Sequence, residues 1–281
     1  MNYKIHIYQL IGTNKLAFSM SVILAIGLII MASIEGGLDK TILYLLTMAA
    51  CFLLSEFIYF TGKVSLKPWK ITHPRQELLV TFGVVLAGIG LLIYWFLIID
   101  QSHASQMTKT ITMILRLLFI FPVFLLVYFL AIKKYKPLTI GIWSFKYWFI
   151  SLPLIVLIGG VAYLGFPDGM IQEFTIQQFI FLGFLTAAIP EEIARTLFQS
   201  RLGRVIHHKG MAWFIVSFIW ALQHIPLFAF KSNGDLYGAT IGALGILPIG
   251  LLWGYLNERY RSIIPSVLIH GTNIWGLNNI F

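Results

Sequence analysis

The ionisable side chains that fall inside long apolar stretches of this sequence are few: Glu56, Arg116, Glu191, Glu192, Arg195, His224 and His270. Such groups are costly to place in an apolar span and mark function by default. All but Glu56 and Arg116 fall between 191 and 270, and that clustering is the main signal. Glu191 and Glu192 follow Pro190 directly. Adjacent helical residues point about 100° apart, so in a regular helix the two carboxylates do not face one point. Arg195 stands four residues beyond Glu191 and three beyond Glu192 and can pair with either. The carboxylate left without the cation is then free for proton transfer, as a general base or acid. His224 lies in Trp220-Ala221-Leu222-Gln223-His224-Ile225-Pro226, and His270 in Leu268-Ile269-His270-Gly271-Thr272-Asn273. His224, His270 and one of the two carboxylates, Glu191 or Glu192, on three helices can hold a water or a divalent metal such as zinc. Asn273, three residues past His270, can stabilise an oxyanion. The bland alternatives are a Glu–Arg clamp and two hydrogen-bonded interior histidines. There is no HExxH, so the pattern is not that of the usual zincin helix.

The elements that must position these residues are membrane spans. Of 281 residues 58% are hydrophobic and only 11% charged, against roughly 25% charged in soluble domains. That excludes a water-soluble enzyme and a disordered chain. Apolar runs of about 20 residues suit helices that cross a bilayer, and their continuity excludes the alternating pattern of a β-barrel. The stretches are 16–34, 41–62, 78–99, 109–132, 147–166, 176–199, 211–230, 237–256 and 263–280. The expected fold is therefore all-α, a polytopic transmembrane helical bundle of about eight or nine spans.

Charge sorts by loop. Lys63, Lys67, Lys70 and Arg75, then Lys133, Lys134, Lys136 and Lys146, then Arg201, Arg204 and Lys209, then Arg259 and Arg261 fall on the same side as Lys4 and Lys15. The opposite side holds Lys40, Lys109 and Lys231. The positive-inside rule then places the N-terminus in the cytoplasm. Topology accounts for the net charge of +9, and no basic patch with interleaved aromatics is left over for nucleic acid. The first apolar run lacks a good cleavage site and reads as an uncleaved span. The single cysteine, Cys51, cannot form an intrachain disulfide.

Residues 1–146 are expected to form N-terminal membrane helices of unknown role, and 147–281 the half that carries chemistry. Glu56 and Arg116 are expected to pair between spans, His207 and His208 to be solvated, and Trp69 to lie at headgroup level. Gly159, Gly160, Gly242, Gly245, Gly250 and Gly254 permit close helix packing.

The stretch 190–281 resembles the CPBP family of intramembrane proteases, which includes type II CAAX prenyl endopeptidases and bacteriocin-processing enzymes. The family's paired glutamates ending in arginine, its Phe-x-x-x-His and its His-x-x-x-Asn read here as Glu191-Glu192-Ile193-Ala194-Arg195, Trp220-x-x-x-His224 and His270-x-x-Asn273. The run from Leu247 through Gly254-Tyr255-Leu256 and Glu258-Arg259 to Ile264-Pro265 is similar to the family's last two helices. The resemblance implies a glutamate that activates water for attack on a peptide carbonyl, histidines that orient the water or bind a metal, and an asparagine at the oxyanion. Carried over, Glu191 is the base with Glu192 next, His224 and His270 are the water or metal ligands, and Asn273 is the oxyanion donor.

The expected function is an intramembrane endopeptidase acting on a membrane-embedded or membrane-proximal peptide, reached from the cytoplasmic side. Its partners are a membrane peptide or protein substrate and the lipid bilayer, and its location is the cell membrane, a bacterial cytoplasmic membrane by expectation. Two residues stand between Glu192 and Arg195 where the family has three, and this motivates one alternative, a catalytically silent CPBP-like scaffold that binds a membrane protein. A proton- or ion-coupled transporter is a further alternative, but it would commonly show paired repeats of spans, and none is visible.

Overall fold

The computed structural model describes residues 15–35, 37–62, 69, 71–93, 145–165 and 179–273. Over these the chain is helical, with no strand among the described residues. The helices are α1 (Lys15–Glu35), α2 (Leu38–Thr61), α3 (Pro74–Ile93), α4 (Ser151–Gly165), α5 (Ile189–Val205), α6 (Lys209–Leu222), α7 (Ile225–Lys231), α8 (Leu236–Gly245), α9 (Leu247–Tyr260) and α10 (Ile264–Asn273). A 3₁₀ turn, Phe145–Ile150, leads into α4, and a π-helical stretch, Phe179–Ala188, leads into α5.

Among the described residues, four segments are long and apolar enough to cross a membrane: Lys15–Ile34, Leu38–Thr61, Lys209–Phe230 and Leu236–Tyr260. Tyr147–Ala162 is a shorter apolar helix. The expected span 109–132 and the far ends of 78–99 and 263–280 lie outside the described residues, as does Arg116. The outward faces of α1 and α2 expose Ile23, Ile30, Ile34, Leu46, Leu53 and Phe57, the surface expected where lipid is the solvent.

Both later spans are interrupted. Pro226 lacks the N–H that would continue α6, so the helix ends at Leu222 and α7 starts afresh with that proline in its first turn. Pro248 plays the same part between α8 and α9.

The centre of the bundle is α9, where Leu252, Trp253, Leu256 and Asn257 are almost wholly buried. Its backbone carbonyls accept bonds from neighbouring helices. Arg195 and Gln199 of α5 donate to Gly250 O (2.8 Å) and Gly254 O (3.0 Å), and Trp213 of α6 donates to Leu251 O (2.8 Å). A helical carbonyl has a second lone pair for this use, but the donor must come close. Glycine permits it: a Cβ on Gly254 would sit 2.8 Å from Gln199 Oε1 and 3.1 Å from Trp213 Cδ1. The expected close packing is thus found at Gly250 and Gly254, and at Gly242 against the Phe228 ring. Gly159 and Gly160 differ: a Cβ there meets nothing within 4 Å, so these glycines serve no close contact among the described residues.

The first three helices are built into this core. Tyr44 of α2 accepts from Ile249 N (3.2 Å), and Tyr260 of α9 donates to Ser55 O (2.5 Å). Glu56 pairs with Arg259, with Nε–Oε1 2.7 Å and Nη2–Oε2 2.8 Å; the expected partner, Arg116, lies outside the described residues. The Arg259 guanidinium also lies 3.5 Å from the Tyr59 ring centroid, so α2 grips it by charge and by ring face. Arg201, sorted with the loop charges by sequence, is buried in α5. Its Nε reaches Glu77 Oε2 of α3 at 2.9 Å. Glu77 Oε1 in turn accepts from the backbone N–H of Thr72 (3.3 Å) and His73 (3.0 Å) at the start of α3. His208 is not simply solvated, because its Nδ1 caps α6 by accepting from Met211 N (3.0 Å). Trp69 is buried beneath the Arg261 guanidinium, 4.7 Å from its ring centroid.

Candidate active site

Local sequence places each site residue at the edge of a helix. Just before Pro190 the π-helical stretch gives way to α5 at Ile189. Proline in the first helical turn needs no donor, and the positive end of the helix favours Glu191 and Glu192 in that same turn. His224 occupies the joint between α6 and α7 that Pro226 creates. His270 lies in the last turn of α10. The π-helical stretch packs closely against α10, and a Cβ on Gly183 would sit 2.8 Å from Gly271 O.

These elements bring Glu191, Glu192, Arg195, His224 and His270 together. The two carboxylates do point apart, as adjacent helical residues must, and they take opposite edges of one ring. Glu192 Oε1 is 3.1 Å from His270 Nδ1, while Glu191 Oε2 is 3.8 Å from His270 Nε2. A carboxylate only accepts, so Nδ1 donates to Glu192 while Nε2 faces Glu191. His224 repeats the pattern with a backbone partner. Its Nδ1 donates to Trp220 O (2.8 Å), and its Nε2 lies 4.0 Å from Glu191 Oε2. The Nε2 atoms of two imidazoles therefore converge on one carboxylate oxygen, each beyond direct hydrogen-bond distance.

The two glutamates differ in surroundings. Glu192 has no exposure and is saturated. Besides His270 it accepts from Asn257 Nδ2 (2.8 Å) and faces Arg195 Nε at 3.3 Å. Asn257 Oδ1 accepts from the Ser266 hydroxyl, which extends the chain of bonds into α10. The Glu191 side chain is 24% exposed, and Trp220 Nε1 donates to its Oε2 at 2.6 Å. Arg195 thus chooses Glu192. Its guanidinium also stacks 4.2 Å from the Trp220 ring centroid. Trp253 lies flat against His270, with centroids 3.8 Å apart and 16° between planes.

The donor set of two imidazoles and a carboxylate is chemically that of a zinc site. Yet no group of three or more His, Cys, Asp or Glu is arranged to hold a metal ion among the described residues. The two imidazole nitrogens stand 3.8 and 4.0 Å from Glu191 Oε2, wider than the roughly 3.3 Å between two ligands of one tetrahedral zinc ion. As arranged, Glu191, His224 and His270 do not fit a metal. The backbone of α10 carries Asn273 close after His270, but the Asn273 side chain lies outside the described residues.

Sequence reasoning missed Asn257, Ser266 and Trp253, and it read Trp220 only as a replacement for phenylalanine. Neutral polar residues such as Asn257 and Ser266 give no warning in an apolar run. The spacing of Trp220, four residues before His224 on one helix face, was the available signal.

No curated protein and no solved structure matches the chain significantly. Residues 173–275 match a family described as type II CAAX prenyl endopeptidase Rce1-like. The matched segment contains Glu191, Glu192, Arg195, His224, His270 and Asn273, together with the helices that carry them. Over these residues, about a third of the chain, it is similar to the Rce1-like family of type II CAAX prenyl endopeptidases, in keeping with the CPBP group its motifs resemble.

Proposed function

We propose that the protein is an intramembrane endopeptidase that hydrolyses a peptide bond of a membrane-embedded or membrane-proximal substrate. The observation that carries the reading is the convergence of His224 Nε2 and His270 Nε2 on Glu191 Oε2, at 4.0 and 3.8 Å. A water placed there gives one hydrogen to Glu191 and the other to an imidazole, leaving its oxygen lone pairs for the substrate. Glu191 takes the proton as the water oxygen bonds to the peptide carbonyl carbon. The carbonyl oxygen becomes an oxyanion, for which the Asn273 amide, at the end of α10, is the proposed donor. Collapse of the intermediate breaks the C–N bond, and Glu191 returns its proton to the leaving amine. Glu192 and Arg195 act as positioning residues: Glu192 fixes the His270 tautomer, and Arg195 holds Glu192 and the α9 carbonyl at Gly250.

This scheme routes no step through a metal. The substrate class the family match suggests is a prenylated C-terminal peptide, cut in or at the membrane. The test uses the full chain in nanodiscs with a fluorogenic farnesylated peptide ending in Cys-a-a-X. A parallel comparison reads the membrane-protein termini of cells that carry the wild type or Glu191→Gln. Products that depend on Glu191 in either arm support the reading. Their absence in both arms overturns it.

A further inference from the structure

Trp220 touches nearly every group of the candidate site. Its Nε1–H donates to Glu191 Oε2 (2.6 Å), and its backbone carbonyl accepts from His224 Nδ1 (2.8 Å). Arg195 covers its face at 4.2 Å, and its ring stands edge-on to His270, with centroids 6.1 Å apart and planes at 88°. The ring is 6% exposed and wedged in place, since a Cβ on Gly250 would lie 2.6 Å from its Cε3. A buried indole N–H needs an acceptor, and here the acceptor is the oxygen on which the two imidazoles converge. The terminal torsion of a glutamate is broad, so a carboxylate held by one helix turn alone swings freely. One fixed donor removes that freedom.

We infer that Trp220 is a positioning residue for hydrolysis. Its indole N–H aims Glu191 Oε2 at the two imidazoles, and its carbonyl sets the tautomer that presents the His224 Nε2 lone pair. The inference rests on the endopeptidase reading and extends it to a residue whose family counterpart, phenylalanine in the resemblance above, has no N–H to give. It separates this site from one in which the ring only fills space.

The test is Trp220→Phe, which removes the N–H and keeps an aromatic ring and the backbone carbonyl. Misplacing a reacting group by about 1 Å costs on the order of 10²-fold. Cleavage of the farnesylated peptide is therefore expected to fall roughly 10–100-fold in kcat with KM little changed. Replacing Trp220 with β-(3-benzothienyl)alanine keeps the bicyclic shape, puts sulfur where the N–H was, and gives the same loss. Activity retained by that variant assigns Trp220 to packing and overturns the inference. In a Glu191→Asp background the shortened carboxylate no longer reaches the indole, so Trp220→Phe costs little more there; a full multiplicative loss overturns the inference. A readout without catalysis uses ¹⁵N-tryptophan in the full chain. The indole N–H resonance identified by its absence in Trp220→Phe moves when Glu191 is changed to Ala. If it does not move, the contact is refuted whatever the enzyme cleaves. If it moves while no peptide is cut, the contact stands and the endopeptidase reading fails.

Discussion

Replacing Arg201 with methionine leaves Glu77 charged and without its cation. The pair is buried on both sides, with side-chain exposures of 2% and 3% and an Nε–Oε2 distance of 2.9 Å. Removing one partner of such a pair costs about 3–5 kcal/mol, because the other charge is left uncompensated. At about 2–4 °C per kcal/mol for a chain of this size, melting falls by roughly 6–20 °C. Adding Glu77→Gln to Arg201→Met removes the stranded charge. The glutamine keeps an acceptor for the Thr72 and His73 N–H groups that Glu77 Oε1 serves. The double variant therefore recovers most of the loss, as replacement of a whole buried pair usually does. The assay is a thermal ramp in detergent with a thiol-reactive fluorophore. Cys51 is the single cysteine, with no exposure in α2, so it labels only when the helices part. A single variant that melts within about 1 °C of wild type, or a double variant that loses the sum of the two singles, would refute the reasoning.

Glu191→Gln is expected to lower peptide cleavage about 10²–10⁴-fold, the usual contribution of a general base, with melting unchanged because the side chain is partly exposed. Glu192→Gln lowers both cleavage and melting, since it disturbs bonds to His270, Asn257 and Arg195 at a side chain with no solvent exposure; equal melting for the two glutamine variants would contradict this. Dialysis against a chelator leaves cleavage intact, because both imidazole nitrogens stand farther from Glu191 Oε2 than two ligands of one zinc ion do; zinc-reversible loss would show that the three groups close on a metal. Gly250→Ala drives a methyl into the Trp220 ring and within 3.3 Å of Arg195 Nη1, so it lowers kcat although position 250 touches no substrate group. Normal turnover by that variant would mean that the ring yields without moving Glu191.

The candidate site was legible because charge inside an apolar run is conspicuous. Glu191, Glu192, Arg195, His224 and His270 could be marked from residue type and context alone, and the structure sets them around one imidazole. What sequence could not supply was the difference between the two glutamates. That difference arises from residues with no signature of their own: Asn257 and Ser266, which saturate Glu192, and Trp220, whose partner is a helix away. The fold shows the same division. Long apolar runs read correctly as helices, and Pro226 and Pro248 mark the breaks within two spans. Arg201 and Arg259 were sorted with loop charges because they flank apolar runs, yet each turns inward to an acid far off in sequence. Sorting charge by loop reads only how near a residue lies to a span end, and says nothing about which face of the helix carries it.

Those two long-range pairs also impose an order on synthesis. Glu77 precedes Arg201 by 124 residues and Glu56 precedes Arg259 by 203, so in each pair the acid leaves the ribosome first. Helix α5 carries Glu191, Glu192, Arg195 and Arg201 and is not among the four segments of the described residues that are apolar enough to cross a membrane by length and composition. At about 2.5–3.5 kcal/mol for each such charge near a bilayer centre, it is a poor candidate for insertion on its own. When it emerges, α3 is already made and offers Glu77 as the counter-charge. The early helices thus act as an internal chaperone for the late ones, and severing the chain before α5 and supplying the two pieces in the reverse order would deprive Arg201 of its reception.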